Sequence, residues 1–138
     1  MTGSLPGLGT WVLSQAAARS HQVLHRHLGD AGFSGFEYRV LAALDDAGCL
    51  HQAELGRAAG LDRHDVTHTV RALEDRGLVT RSSDPAHGRR VLVALSPAGA
   101  AAAASLRTVM EGIQAKVFGT LSVAQHRELL GLLDRVAR

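Results

Sequence analysis

The chain has 138 residues, 46% hydrophobic and 20% charged, enough for a real core in one domain, or in one domain with a helical extension. Its 15 basic residues, all arginine except Lys116, stand against 13 acids for a formal net charge of +2, so the placement of the arginines matters more than their sum. A single cysteine, Cys49, excludes an internal disulfide framework, and with no charged leader before an apolar run and no stretch near ~18 apolar residues, a cytoplasmic chain without membrane contact is expected.

Residues 1–9 are rich in Gly and Pro and read as an irregular arm. A helix follows from Thr10 to about Leu28, with Leu13, Ala17, Leu24 and Leu28 on one face, until Gly29 to Gly32 break it. Ser34 and Glu37 make a Ser-x-x-Glu capping box, with Phe33 and Tyr38 at the positions of a hydrophobic staple. They open a helix through Val40, Leu41 and Leu44 to about Ala47. The next helix, Gln52 to Ala59, has Glu54 in its first turn and Leu55 inward, although His51 stands where Ser or Thr would cap it. Gly60 turns the chain into a further helix. Asp62 is its N-cap, Asp65 its first-turn carboxylate, Val66, Val70 and Leu73 its apolar face, and Gly77 its stop. Two short helices joined by a tight Gly-containing turn are a helix-turn-helix.

The outer face of that second helix carries His64, His68, Arg71 and Asp75, flanked by Arg63 and Thr67. It holds hydrogen-bonding groups and no large apolar residue. The period then changes. Leu78 to Ser82 and Arg90 to Leu95 read as two short strands around a loop with Asp84, Pro85 and Gly88. Arg81, Arg89 and Arg90 face a single acid there, Asp84, a local balance of +2 (three minus one). A polar-faced helix followed by a basic hairpin suits double-stranded DNA. The helix would lie in a major groove and the arginines would reach phosphate or a minor groove.

Ser96 and Pro97 then open the longest helix, to about Phe118, with Leu106, Val109 or Met110, Ile113 and Val117 on one face. Ser122 and Gln125 form a second capping box before a helix carrying Leu129, Leu130, Leu133, Val136 and Ala137. So much leucine beside a small winged domain leaves apolar surface that a second copy of the chain would cover.

The order helix, helix, short helix, recognition helix, wing, long helix, helix resembles the multiple-antibiotic-resistance regulator (MarR) family of bacterial winged helix-turn-helix repressors. So do the strings QAELGRAAGL, VTHTVRALEDRGLVTR and VLVALSPAG, the last being the most specific. The resemblance runs from about Thr10 to the end. It implies a mainly α fold with a small β-hairpin wing. Residues 35–96 would be the DNA-binding region and residues 1–34 with 97–138 the helical dimerisation region. It further implies a homodimer on a palindromic operator and a small aromatic or amphipathic ligand at an unknown site. Carried over by position, Arg63, His64, Thr67, His68 and Arg71 are the recognition-helix candidates and Arg89, with Arg90 beside it, the wing arginine. Two departures stand out. The family usually braces its wing with an Asp two residues before that arginine, where this chain has His87, leaving Asp84 for the task. His68 stands where the family commonly has Arg.

Other features invite sharper readings. His64 and His68, and likewise His21 and His25, are four apart, the spacing of a metal pair, yet neither pair has a convincing third ligand in sequence, so no metal and no cofactor is expected. Cys49 reads as an unreactive loop thiol, and Trp11 as a packing residue rather than a ligand platform. The eight histidines are scattered, with no nucleophile elbow, phosphate loop or metalloprotease motif, so no enzyme is expected. The leading expectation is a homodimeric transcriptional repressor released by a small molecule. The alternatives are a redox- or metal-responsive DNA-binding sensor using Cys49 or the histidine pairs, and a winged helix or enzyme without DNA affinity. Six acids against seven arginines over residues 51–96 is the argument for the last.

Overall fold

A computed structural model describes residues 4–138; the start of the expected arm, residues 1–3, lies outside the described residues. Leu5–Gly7 is a short 3-10 turn. Among the described residues there are six α-helices and three strands: α1 (Gly9–Asp30), α2 (Gly35–Ala47), β1 (Cys49–His51), α3 (Gln52–Ala59), α4 (Arg63–Asp75), β2 (Val79–Asp84), β3 (Arg90–Leu95), α5 (Pro97–Phe118) and α6 (Val123–Ala137). The chain falls into two compact units, His27–Val109 and Met1–Arg26 with Met110–Arg138.

The His27–Val109 unit holds the helix-turn-helix and the wing. Its helices start where local chemistry tells them to. The Glu37 N–H donates to Ser34 Oγ at 3.1 Å and the Ser34 N–H to Glu37 Oε1 at 2.9 Å, closing the capping box that opens α2. The Asp65 N–H donates to Asp62 Oδ1 at 2.7 Å at the start of α4. Each cap satisfies a backbone donor that the first helical turn would leave unpaired and contributes ~1 kcal/mol. Between α3 and α4, Gly60 takes φ +66°, a left-handed conformation that lets the chain turn without a Cβ clash.

The apolar faces converge on one core of Leu28, Val40, Leu41, Leu44, Leu55, Val66, Val70, Leu73, Val79, Val93 and Leu106, all buried. A leucine buried in this way stabilises by roughly 1.5–3 kcal/mol. The expected inward residues of α2, α3 and α4 are all among them.

The sheet departs from the sequence-based expectation. It has three antiparallel strands in the order β1-β3-β2, not two. Cys49, expected in a loop, begins β1 and pairs with Ala94, while Leu50 lies opposite Val93 and His51 opposite Leu92. A three-residue strand has too few positions to show a period, and its partner lies more than forty residues away in sequence. β2 also runs two residues past Ser82, to Asp84, which lies opposite Arg90.

In the other unit, the N-cap box of α6 is present, with the Gln125 N–H on Ser122 Oγ at 3.1 Å and the Ser122 N–H on Gln125 Oε1 at 2.9 Å. Ile113 is buried, Phe118 stacks on His126 with centroids 4.5 Å apart, and Arg19 Nη2 donates to the Lys116 carbonyl at 3.2 Å. No residue of α6 is buried. Leu129 and Leu133 are half-buried, whereas Leu130 is 50% exposed, Leu132 51% and Val136 67%. Trp11, Val12 and Leu13 of α1 are exposed as well. The apolar surplus expected from the sequence is therefore present, uncovered by the single chain.

Candidate nucleic-acid interface

The amphipathic pattern of α4 sets its orientation. Val66, Thr69, Val70 and Leu73 are buried, which turns Arg63, His64, His68 and Arg71 to solvent. The His64 and His68 rings lie nearly parallel, 13° apart with centroids at 6.3 Å. They form one imidazole step on the exposed face. Thr67 behaves differently from its neighbours. Its hydroxyl donates to the Arg63 carbonyl at 2.8 Å and accepts from Gln52 Nε2 at 3.0 Å. Those bonds occupy its one donor and one of its acceptor positions. They tie the first turn of α4 to the first turn of α3.

Arg76, just past α4, donates to Glu37 Oε2 at 3.0 Å and lies 4.4 Å from the Phe33 ring centroid, so α4 is held against the start of α2. Of the three hairpin arginines, Arg81 is not free for a partner. Its guanidinium pairs with Glu74 of α4 at 3.0 Å. Arg89 and Arg90 remain exposed at the foot of the wing loop. Arg89 has φ +68°, directly after Gly88 at +62°, and it is the positive-φ residue here that is not glycine. An L-residue in this region costs ~1 kcal/mol or more, strain of a kind that persists where the surroundings over-determine a conformation.

The wing loop is braced by Asp84. Its Oδ1 accepts the Ala86 N–H at 3.1 Å, and its Oδ2 meets both His87 Nδ1 and His51 Nε2 at 2.8 Å. The role that the family gives to an Asp at the position of His87 is thus filled by Asp84, with His87 as one of its partners. His51 reaches the wing from the cap position of α3. Its other nitrogen, Nδ1, lies 2.9 Å from Glu54 Oε1, which also accepts the His51 backbone N–H at 3.1 Å. A weak cap in sequence is therefore the centre of a network.

The hydrogen bond to Asp84 raises the His51 pKa above its ordinary value, helped by Glu54 and opposed by partial burial and Arg90. The same bond lowers Asp84, with His87 and the Ala86 N–H adding to it. Glu54 is lowered first by the His51 backbone N–H and then by its imidazole. No sequence signal links His51 to Asp84, thirty-three residues away.

Between α3, α4 and β3 lies a cleft of about 500 Å³ whose lining includes His51, Arg57, Leu61, Arg63, Val66 and Arg90. Three arginines beside the apolar side chains of Ala53, Leu61, Val66 and Val91 at one cleft make a surface suited to an anion with an apolar body.

A MarR family model matches residues 31–90, the stretch from the end of α1 to the start of β3. The HTH-type transcriptional repressor NicR of Pseudomonas putida is 29% identical over 125 residues, covering 91% of this chain and 79% of NicR. Among solved structures, a probable transcriptional regulator from Pseudomonas aeruginosa superposes with a TM-score of 0.87 at 32% identity, over 96% of this chain and 99% of that one. BpsR of Bordetella bronchiseptica, described as regulated in its DNA binding by 6-hydroxynicotinic acid, superposes with a TM-score of 0.83 at 28% identity, over 92% of this chain and 96% of BpsR. With a helix-turn-helix, a three-stranded winged sheet and these relatives, the chain belongs to the MarR family of winged helix-turn-helix transcriptional regulators.

Proposed function

We propose that this chain is a cytoplasmic, homodimeric repressor that binds a palindromic double-stranded DNA operator and leaves it on binding a small aromatic or amphipathic ligand. The observation that carries the reading is one compact unit in which α4 turns Arg63, His64, His68 and Arg71 outward while the wing ends in Arg89 and Arg90. α4 would enter a major groove. Arg71 would supply a fixed donor fork there, and each of the two imidazoles would offer ring nitrogens as hydrogen-bond partners. Arg89 and Arg90 would take phosphate or a narrow minor groove. Thr67 acts mainly by positioning α4 on Gln52.

The apolar side chains left open on α6 and the start of α1 support a second copy of the chain as their cover. NicR and BpsR, a repressor and a regulator answering to a hydroxylated aromatic acid, support the repressor reading and the ligand class. No catalytic step belongs to this function.

The test is affinity for the DNA flanking the chain's own gene and for unrelated DNA, for the parent, His64→Gln, His68→Gln and Arg89→Ala across salt. Arg89→Ala is expected to weaken all DNA and to reduce the salt slope by roughly one for one lost phosphate contact. His64→Gln and His68→Gln are expected to weaken operator more than unrelated DNA, because contacts to base edges carry the sequence reading. Unchanged binding in all three variants would refute the interface.

A further inference from the structure

We infer that His51, Asp84 and His87 form a site for a divalent first-row transition-metal ion at the loop end of the wing. His51 Nε2 and His87 Nδ1 both lie 2.8 Å from Asp84 Oδ2, and the three ligand atoms lie within 4.8 Å of one another. Around a tetrahedral zinc ion with bonds of ~2.0–2.2 Å, neighbouring ligand atoms stand roughly 3.4 Å apart. Reaching that geometry needs each imidazole to withdraw from the carboxylate by roughly 0.6 Å, while the two ring nitrogens, within 4.8 Å of one another, settle at the same spacing. The rings already face the shared oxygen from two directions, 61° apart with centroids at 5.1 Å.

The surroundings are those of a built ligand set. His51 and Asp84 have side chains only 14% and 18% exposed, while that of His87 is 55% exposed and can adjust. Glu54 on His51 Nδ1 sets the ring orientation and leaves Nε2 as the metal-facing nitrogen, the usual arrangement of a carboxylate behind a ligating histidine. Asp84 Oδ1 is held by the Ala86 N–H, which leaves Oδ2 for the ion. Binding would move the Nε2 proton of His51 to solvent where it is present, and would require His87 to carry its proton on Nε2. A fourth position on the exposed side would take water. Two imidazoles and one carboxylate favour zinc or its neighbours over magnesium or calcium, which prefer all-oxygen shells.

Such an ion would join the start of α3 to the tip of the wing, which His51, Asp84 and His87 otherwise connect only by hydrogen bonds. Resting on the proposed DNA-binding function, it would orient Arg89 and Arg90 and raise operator affinity. It is a different place from the His64–His68 and His21–His25 pairs, whose spacing alone suggests metal.

The experiment uses the full chain, stripped with chelator and titrated with zinc against a chromophoric competitor, with cobalt(II) absorption as a second readout. One zinc per chain is expected, and magnesium should not compete. His87→Gln should weaken zinc by well over tenfold, and Glu54→Gln by about tenfold as an outer carboxylate. His21→Gln with His25→Gln should bind as the parent does. Zinc affinity unchanged in a folded His87→Gln, or lost in the α1 double variant instead, overturns the site. The DNA arm is read separately. Zinc should raise operator affinity in the parent and not in His87→Gln. If zinc binds at one per chain and affinity stays level, the site stands and its coupling to DNA falls; if no DNA binds under any condition, it is the repressor reading that fails.

Discussion

Gly99, in the Leu-Ser-Pro-x-Gly string after the wing, tests how tightly α5 is pressed onto the helix-turn-helix. A Cβ there would lie 1.9 Å from the Leu78 carbonyl oxygen, 2.9 Å from its carbon and 3.3 Å from Leu95 Cδ2. The Leu78 peptide cannot retreat freely. Its N–H donates to the Leu73 carbonyl and its oxygen accepts the Ser96 N–H, both at 3.0 Å. α5 cannot retreat freely either, because Ser96 Oγ caps Gly99 N at 3.0 Å while donating to the Gly77 carbonyl at 2.6 Å. Gly99→Ala must therefore break the cap or the Ser96–Leu78 bond, at roughly 1–3 kcal/mol, on top of roughly 1–3 kcal/mol of overpacking. The helix preference for Ala returns at most about 1 kcal/mol. A net loss of about 3 kcal/mol is expected, a fall in Tm of roughly 10 °C for a chain of this size. Gly112→Ala is the control in the same helix. Nothing lies within 4 Å of its Cβ, so it should stabilise by roughly 0.5–1 kcal/mol. Chemical and thermal unfolding of the two variants beside the parent decide the matter. A Gly99→Ala protein as stable as the parent would refute the close approach and the reading of the string built on it.

The His51 network predicts a pH window in metal-free protein. The raised pKa of His51 means that its contribution is full below the ordinary histidine value of 6.5 and is lost as pH rises through the higher folded value. The lowered pKa values of Asp84 and Glu54 mean that theirs is present above 3.8 and 4.5 and is lost as pH falls through the lower folded values. In chelator, the Tm difference between the parent and His51→Gln should thus be largest between about pH 5 and about 6.5 and shrink toward pH 8; a difference growing with pH would contradict the network. Arg89→Gly and Arg89→Ala should lose DNA affinity equally, while the glycine variant is the more stable by about 1 kcal/mol because it relieves the positive φ, as paired unfolding curves would show. Leu130→Glu with Val136→Glu should yield folded monomers by light scattering, and a persisting dimer would place the interface elsewhere. Cys49→Ser should leave DNA affinity and its response to peroxide unchanged; peroxide release that disappears in this variant would make the exposed β1 thiol a sensor.

Helix placement was legible in the sequence wherever the signal spans three or four residues. Ser34 with Glu37, Asp62 with Asp65, Ser122 with Gln125 and the Ser96-Pro97 pair each act within one turn, so the chain announces them locally. The apolar spacing of α4 likewise decided which of its residues face outward, because burial of Val66, Val70 and Leu73 leaves Arg63, His64, His68 and Arg71 no other side. Only the tertiary structure decided what joins distant segments. β1 exists because Leu50 finds Val93, and a three-residue strand has no period of its own to reveal this. Thr67 and Arg81, which read as parts of a nucleic-acid surface, are engaged by Gln52 and Glu74 once α3 and β2 pack against α4. His51 looked like a poor cap for α3. Folding brings it to Asp84 and His87, where two imidazoles share one carboxylate oxygen, a consequence of strand pairing across thirty-three residues that no local pattern encodes.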